Sequence, residues 1–271
     1  SLVDFNRCGV PLIEIVSEPD LRGSGEAKAY LEGIKSILQY LDISDCKMQE
    51  GSIRCDVNVS VRKKGSAEFN TRVEMKNVNS FSGAVRAIDY EAHRQIDVLE
   101  SGGEIYQETR RWDDAAGVNV LLRSKEDAQD YRYFPEPDLP TIVVDPQRVE
   151  QLRQSIPELP NHRLLRYMKE NGLPYFDANL LVENQDKAAF FEAASALGRV
   201  SDKAVSNWLL GDVSRLLYEK NLTLAETRLT PEKLVEMIAL IVTEEISNTA
   251  GKTVVEEIMF TDATAAQVVD A

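Results

Sequence analysis

The sequence predicts an α+β fold: an antiparallel sheet with helices, followed by a small all-helical domain. Residues 1–145 alternate strand-like and helix-like patterns, residues 52–77 read as a β-hairpin, and beyond Pro146 only helical spacing remains. The domain division is therefore placed at 1–145 and 146–271.

The elements follow in chain order. "VPLIEIV" (10–16) is a nearly continuous apolar run, the pattern of a strand covered on both faces. Ala27, Tyr30, Leu31, Ile34, Ile37, Leu38 and Leu41 recur at helical spacing. "SIRCDVNVSV" (52–61) alternates strictly and is joined by a short polar loop to "FNTRVEMKN" (69–77), which predicts an antiparallel pair. Ser80 is placed to cap a helix that Gly102-Gly103 ends. "IYQETRRW" (105–112), "VNVLLR" (118–123) and "TIVVD" (141–145) read as further strands. In the second region, helical periods run through 146–156, 161–171, 186–197, 201–221 and 230–242, whereas the tail from Asn248 is weakly patterned and reads as a truncated element.

Composition bounds the function. With 43% hydrophobic and 28% charged residues the chain is of ordinary globular type. No apolar run nears the roughly 20 residues of a membrane helix. The start, "SLVDFNRCGV", lacks both an initiator methionine and a signal-peptide pattern, so the sequence reads as part of a longer protein. A net charge of −14 argues against a general nucleic-acid coat, yet 31 Lys and Arg leave room for a local basic patch. One candidate is Arg163, Arg166 and Lys169 on a single helix, whose plainer reading is an exposed face. Cys8, Cys46 and Cys55 show no C-x-x-C spacing, which points to thiols in a reducing compartment. His93 and His162 give little basis for a catalytic triad or a multi-histidine metal site.

The hairpin carries the densest chemistry. Strand alternation puts Ile53, Cys55, Val57, Val59 and Val61 on one face, with Val73 and Met75 inward on the partner. The opposite face collects Arg54, Asp56, Asn58, Glu74 and Lys76. Cross-strand charge pairs on a solvated face explain such a set, and so does a site for Mg²⁺ and phosphate. Glu14 interrupts its apolar strand, where an unpaired buried carboxylate is costly, so it is either ion-paired with an arginine such as Arg54 or Arg110, or functional. Glu108, Arg110 and Arg111 read as an exposed charged strand, and Gly51 as a turn residue beside Glu50. In "DYRYFPEPDLP" (130–140), prolines hold Glu136 from both sides; extended backbone would align Arg132, Phe134, Glu136 and Asp138. A rigid interdomain connection anchored by Tyr131 and Tyr133 explains the prolines, and a preorganised carboxylate would explain the acids.

"LVDFNRCGVPLIEIVSEPDLR" (2–22), "MQEGSIRCDVNVSVR" (48–62), "VEMKNVNSF" (73–81), "GGEIYQETRRWD" (102–113) and "DYRYFPEPDLP" resemble the B-subunit family of aspartyl/glutamyl-tRNA amidotransferases. The resemblance extends through "IPELPNHR" and "SNWLLGDV", over nearly the whole chain. It implies a cradle of glutamine synthetase and guanido kinase type, and a heterotrimer with a glutaminase A subunit and a small C subunit. The implied activity is that of a carbon–nitrogen ligase with glutamine as nitrogen donor. ATP and Mg²⁺ serve to activate the side-chain carboxylate of Glu or Asp misacylated on tRNA(Gln) or tRNA(Asn) as an acyl phosphate, which ammonia then converts to the amide. The alternative is a non-catalytic tRNA-docking scaffold. On this resemblance Glu14, Asp56 and Glu74 are the expected metal ligands and catalytic acids, with Glu136 as a further catalytic acid. Arg54, Asn58, Lys76, Arg132 and Asp138 are the expected substrate or ATP contacts. The family's first metal-binding strand and tRNA-contacting tail are expected to lie outside these 271 residues, which alone are expected to be inactive. The expected location is the cytoplasm or an organellar matrix, with no membrane association.

Overall fold

The structure, a computed structural model, describes residues 2–6, 8–124, 134–135 and 137–270. These divide into two compact units, Ser1–Lys35 with Ser44–Pro140, and Ser36–Ile43 with Thr141–Ala271.

Helix α1 (Ser24–Tyr40) opens with the Glu26 carboxylate accepting from the Arg22 amide at 2.7 Å, which satisfies an N–H preceding the helix. The hairpin then forms as its pattern predicts, β1 (Cys55–Val59) pairing antiparallel with β2 (Val73–Val78). Ser80 caps α2 (Phe81–Glu100) by accepting from the Gly83 amide at 2.9 Å. Gly102, at φ +82°, turns the chain out of that helix. Two further strands, β3 (Glu108–Asp113) and β4 (Val118–Ser124), complete a four-stranded sheet in the order β1-β2-β3-β4.

The sheet is mixed and not wholly antiparallel as the sequence predicts: β2 and β3 run parallel, while the outer pairs are antiparallel. The cause is α2, which lies between β2 and β3 and returns the chain to the end where β2 began, so β3 must repeat its direction. Met75, Val78, Ala84, Ala87 and Trp112 form the core between α2 and the sheet.

Two expected strands do not form. Residues 10–16 and 141–145 carry no ladder hydrogen bonds and are exposed, Ile13 at 63% and Val143 at 86%. A strand exists only through a partner, and among the described residues none pairs with either run; apolar content alone does not supply the missing hydrogen bonds.

The second unit is helical: α3 (Pro146–Ser155), α4 (Pro160–Lys169), α5 (Tyr175–Val182), α6 (Gln185–Ala196), α7 (Asp202–Trp208), α8 (Ser214–Lys220), α9 (Pro231–Val242), α10 (Asn248–Phe260) and α11 (Ala265–Val269). Proline stands in the first turn of α3, α4 and α9, where its missing N–H costs nothing. A π-helical turn, Leu209–Val213, joins α7 to α8. The core gathers Tyr167, Phe191, Leu209, Leu234, Ile238 and Ile258, with Tyr167 and Phe191 in edge contact at 5.0 Å. The tail after residue 247, expected to be a truncated element, is a capped helix: Ser247 accepts from the Ala250 amide, and Val255, Ile258 and Met259 are buried. Small and polar residues among the apolar ones dilute its period.

Candidate active site: two acids and a lysine on the hairpin

The open face of the hairpin is built by register. Asn58 lies opposite Glu74, and Val57 opposite Met75, so Asp56, Asn58, Glu74 and Lys76 share one side while Val73 and Met75 are fully buried on the other. Between Cys55 and Val57 the ladder slips by one residue, since their partners are Val78 and Met75. The extra residue on β2 falls at Asn77, whose φ of +63° is tolerated by asparagine far better than by a branched side chain. Its side-chain amide donates to the Trp112 carbonyl at 3.2 Å. The bulge kinks β2 beside Asp56.

Lys76 sits between the acids. Its Nζ donates to Asp56 Oδ2 at 2.9 Å and lies 3.2 Å from Glu74 Oε1. Hydrogen bonding to Asp56, then to Glu74, raises its pKa above the ordinary lysine value against the opposing effect of burial. Thr109 Oγ1, from β3, donates to Glu74 Oε2 at 2.9 Å and fixes that carboxylate. Two acids from neighbouring strands therefore converge on one point, at present filled by an ammonium. That donor set fits Mg²⁺, which one or two carboxylates hold together with nucleotide phosphates.

Beside this point a cavity of about 280 Å³ opens, lined by Gln49, Glu50, Arg54, Cys55, Asp56 and Asn79. Gly51, at φ +74°, closes the 3-10 turn Met48–Glu50 on its rim, the turn role its position suggests. Arg54 and Asn58 make no side-chain hydrogen bond or ion pair with another described residue, which leaves a guanidinium and an amide available. Burial, then the charge of Asp56, pushes the Cys55 thiol up to about 11, so it is protonated at neutral pH.

The residues match two family models, "GatB/GatE catalytic domain" over 1–150 and "GatB domain" over 189–271. The chain belongs to the GatB family. It is 56% identical over 264 residues to the B subunit of the aspartyl/glutamyl-tRNA(Asn/Gln) amidotransferase of Caldicellulosiruptor bescii, covering 96% of this chain and 55% of the relative. It is 49% identical over 270 residues to the protein of that name in Moorella thermoacetica, covering 99% and 56%. This GatB chain thus spans about half the length of the relatives it matches.

The other expected site residues are placed less closely. Glu14 is exposed on the unpaired run 10–16, with no hydrogen bond or ion pair to another described residue. The trio Glu14, Asp56 and Glu74 is not brought together: among the described residues no three acidic, histidine or cysteine side chains form a group able to hold a metal. The reason is the missing strand, without which nothing sets the direction of Glu14. Asp138 is exposed in a turn, and Arg132 and Glu136 lie outside the described residues. Arg163 and Arg166 form a cluster of ion pairs with Glu158 and Glu192, including Arg166–Glu158 at 2.6 Å, and so are neither a basic patch nor a plain exposed face. Among the described residues no helix is long and apolar enough to cross a membrane.

Spacing in the sequence does not single out Thr109, Asn77 or Asn79. Asn77 left a trace, because the polar pair Lys76-Asn77 breaks the alternation of an otherwise regular strand. Thr109 left none, because its contact to Glu74 depends on the parallel pairing of β2 with β3.

Proposed function

We propose that the chain forms the activating part of a tRNA-dependent amidotransferase. It would convert the side-chain carboxylate of Glu or Asp misacylated on tRNA(Gln) or tRNA(Asn) to an acyl phosphate, for amidation by ammonia from a glutaminase A subunit, with a small C subunit completing the assembly. A free carboxylate is a poor electrophile, and activation divides one hard substitution into two easier ones. MgATP would supply the phosphoryl group. The convergence of Asp56 and Glu74 on the Lys76 ammonium is the observation that carries this reading. The two acids would hold the divalent ion, with Thr109 keeping Glu74 in place. Lys76 would turn from the acids to phosphate oxygens as they enter, and Arg54, at the rim of the cavity, would neutralise the same charge. Asn58 would donate to the substrate carbonyl.

The test is Asp56→Asn in the full-length protein assembled with its partners. ATP-dependent amidation is expected to fall by at least about a hundredfold, roughly the loss that follows removal of one electrostatic stabiliser, with tRNA affinity unchanged. Equal loss of amidation and tRNA binding would favour a docking scaffold; undiminished amidation would refute the site.

A further inference from the structure

The loop joining the two hairpin strands departs from the rest of this acidic chain. Residues 62–72, "RKKGSAEFNTR", carry four cations against one acid, in a protein of net charge −14. Charge alone makes a solvated loop, but this one is mounted. At its base the ladder ends at Val59–Val73, and there the side chain of Gln95, fully buried on α2, takes over as a substitute strand. Gln95 Nε2 donates to the Val59 carbonyl at 3.1 Å, and its Oε1 accepts from the Val61 amide at 3.2 Å. The Glu91 carboxylate accepts from the same Nε2 at 2.9 Å and fixes the amide's orientation. Within the loop, Arg62 lies 4.6 Å over the Phe69 ring and donates to the Ala67 carbonyl at 2.8 Å, so this arginine is spent on shaping the turn.

Lys63, Lys64 and Arg72 are left exposed, with no side-chain hydrogen bond or ion pair to another described residue. Arg163 and Arg166, by contrast, are consumed by Glu158 and Glu192. Arg72 precedes β2 with the same alternation as Glu74 and Lys76, so the free cations lead along the hairpin onto the face that bears the acids. A loop anchored at its base, with cations that pair with no other described residue and a half-exposed aromatic ring, matches a polyanionic backbone.

We propose that the hairpin loop is a grip for RNA phosphates, Lys63, Lys64 and Arg72 holding the tRNA backbone close to the end that must reach Asp56 and Glu74. The inference rests on the proposed function for its choice of tRNA. A nearby grip of this kind lets binding energy from the non-reacting part of the substrate position the reacting end.

The test uses the full-length protein in its assembled complex and an unacylated tRNA transcript as probe. Binding of wild type and of the triple variant Lys63→Ala/Lys64→Ala/Arg72→Ala is measured over a range of NaCl concentrations. The variant is expected to bind on the order of 30- to 100-fold more weakly at low salt, with the slope of log affinity against log salt shallower by about 2–3. The charge-preserving Lys63→Arg/Lys64→Arg variant is expected to keep both. Unchanged affinity and slope would overturn the proposal. So would weaker binding at an unchanged slope, since the lost contact would not be to phosphate, or loss of complex assembly, which would make the loop a protein interface. Asp56→Asn separates the two readings, because it tests amidation while leaving these cations in place.

Discussion

The two units hold themselves together by different means. The helical unit has a large core of apolar side chains, with Ser206 its only fully buried polar residue among those described. Among the described residues the sheet unit has a five-residue apolar core, and Glu91, Gln95, Thr109 and Asn119 are buried beside it. There Glu91 takes two bonds from Arg94, at 2.6 and 3.0 Å, as well as one from Gln95. Apolar packing is tolerant of direction, whereas a buried polar network is favourable in one arrangement only. The unit that bears Asp56 and Glu74 is the one built from directional contacts, and the other gains its stability from area.

The single tryptophan in each unit, Trp112 and Trp208, allows the comparison to be broken experimentally. Phe191→Ala should cost about 3–5 kcal/mol, the penalty for a large cavity in a packed core. Urea unfolding of the full-length protein, with any tryptophan outside these 271 residues replaced by phenylalanine, should show the loss in the Trp208 signal, with the Trp112 transition little moved; equal shifts would mean the units do not unfold separately. A smaller effect is expected from Gln95→Met, which keeps volume but leaves the Val61 amide and Val59 carbonyl without their partner. About 1–3 kcal/mol should be lost from the Trp112 transition, and hydrogen exchange at Val61 should accelerate. Protection as in wild type would show that the clasp is dispensable. The smallest effect concerns Cys55. Its folded pKa of about 11 exceeds the ordinary thiol value of 9.0, so its contribution to stability is complete below pH 9 and is lost as pH rises toward 11. Alkylation of Cys55 should accordingly be slow at pH 8 and rise up to about pH 11, with the exposed Cys8 labelled first. Fast labelling at neutral pH would contradict the partial burial of Cys55.

Local chemistry was legible in the sequence wherever the deciding neighbour lay nearby. The hairpin, its inward Val73 and Met75, the Ser80 cap and the helical periods of the second unit follow from spacing alone. So does the shared face of Asp56, Glu74 and Lys76. What escaped depends on partners distant in sequence. The direction of β3 is set by α2, the burial of Thr109 by β2, and the fate of residues 10–16 by whether any strand lies alongside. Spacing leaves Arg163 and Arg166 as either a basic patch or a plain exposed face, because Glu158 and Glu192 reach them from outside their helix.

The left-handed Asn77 inverts the usual rule for substitution. Valine or isoleucine there would raise the strand propensity of the segment, and either would force a branched side chain into a conformation that it strongly resists. Glycine, ordinarily the poorest strand residue, would keep the kink. A search for stabilising replacements by propensity would thus favour, at this one position, the changes that turn Asp56 and Lys76 away from each other.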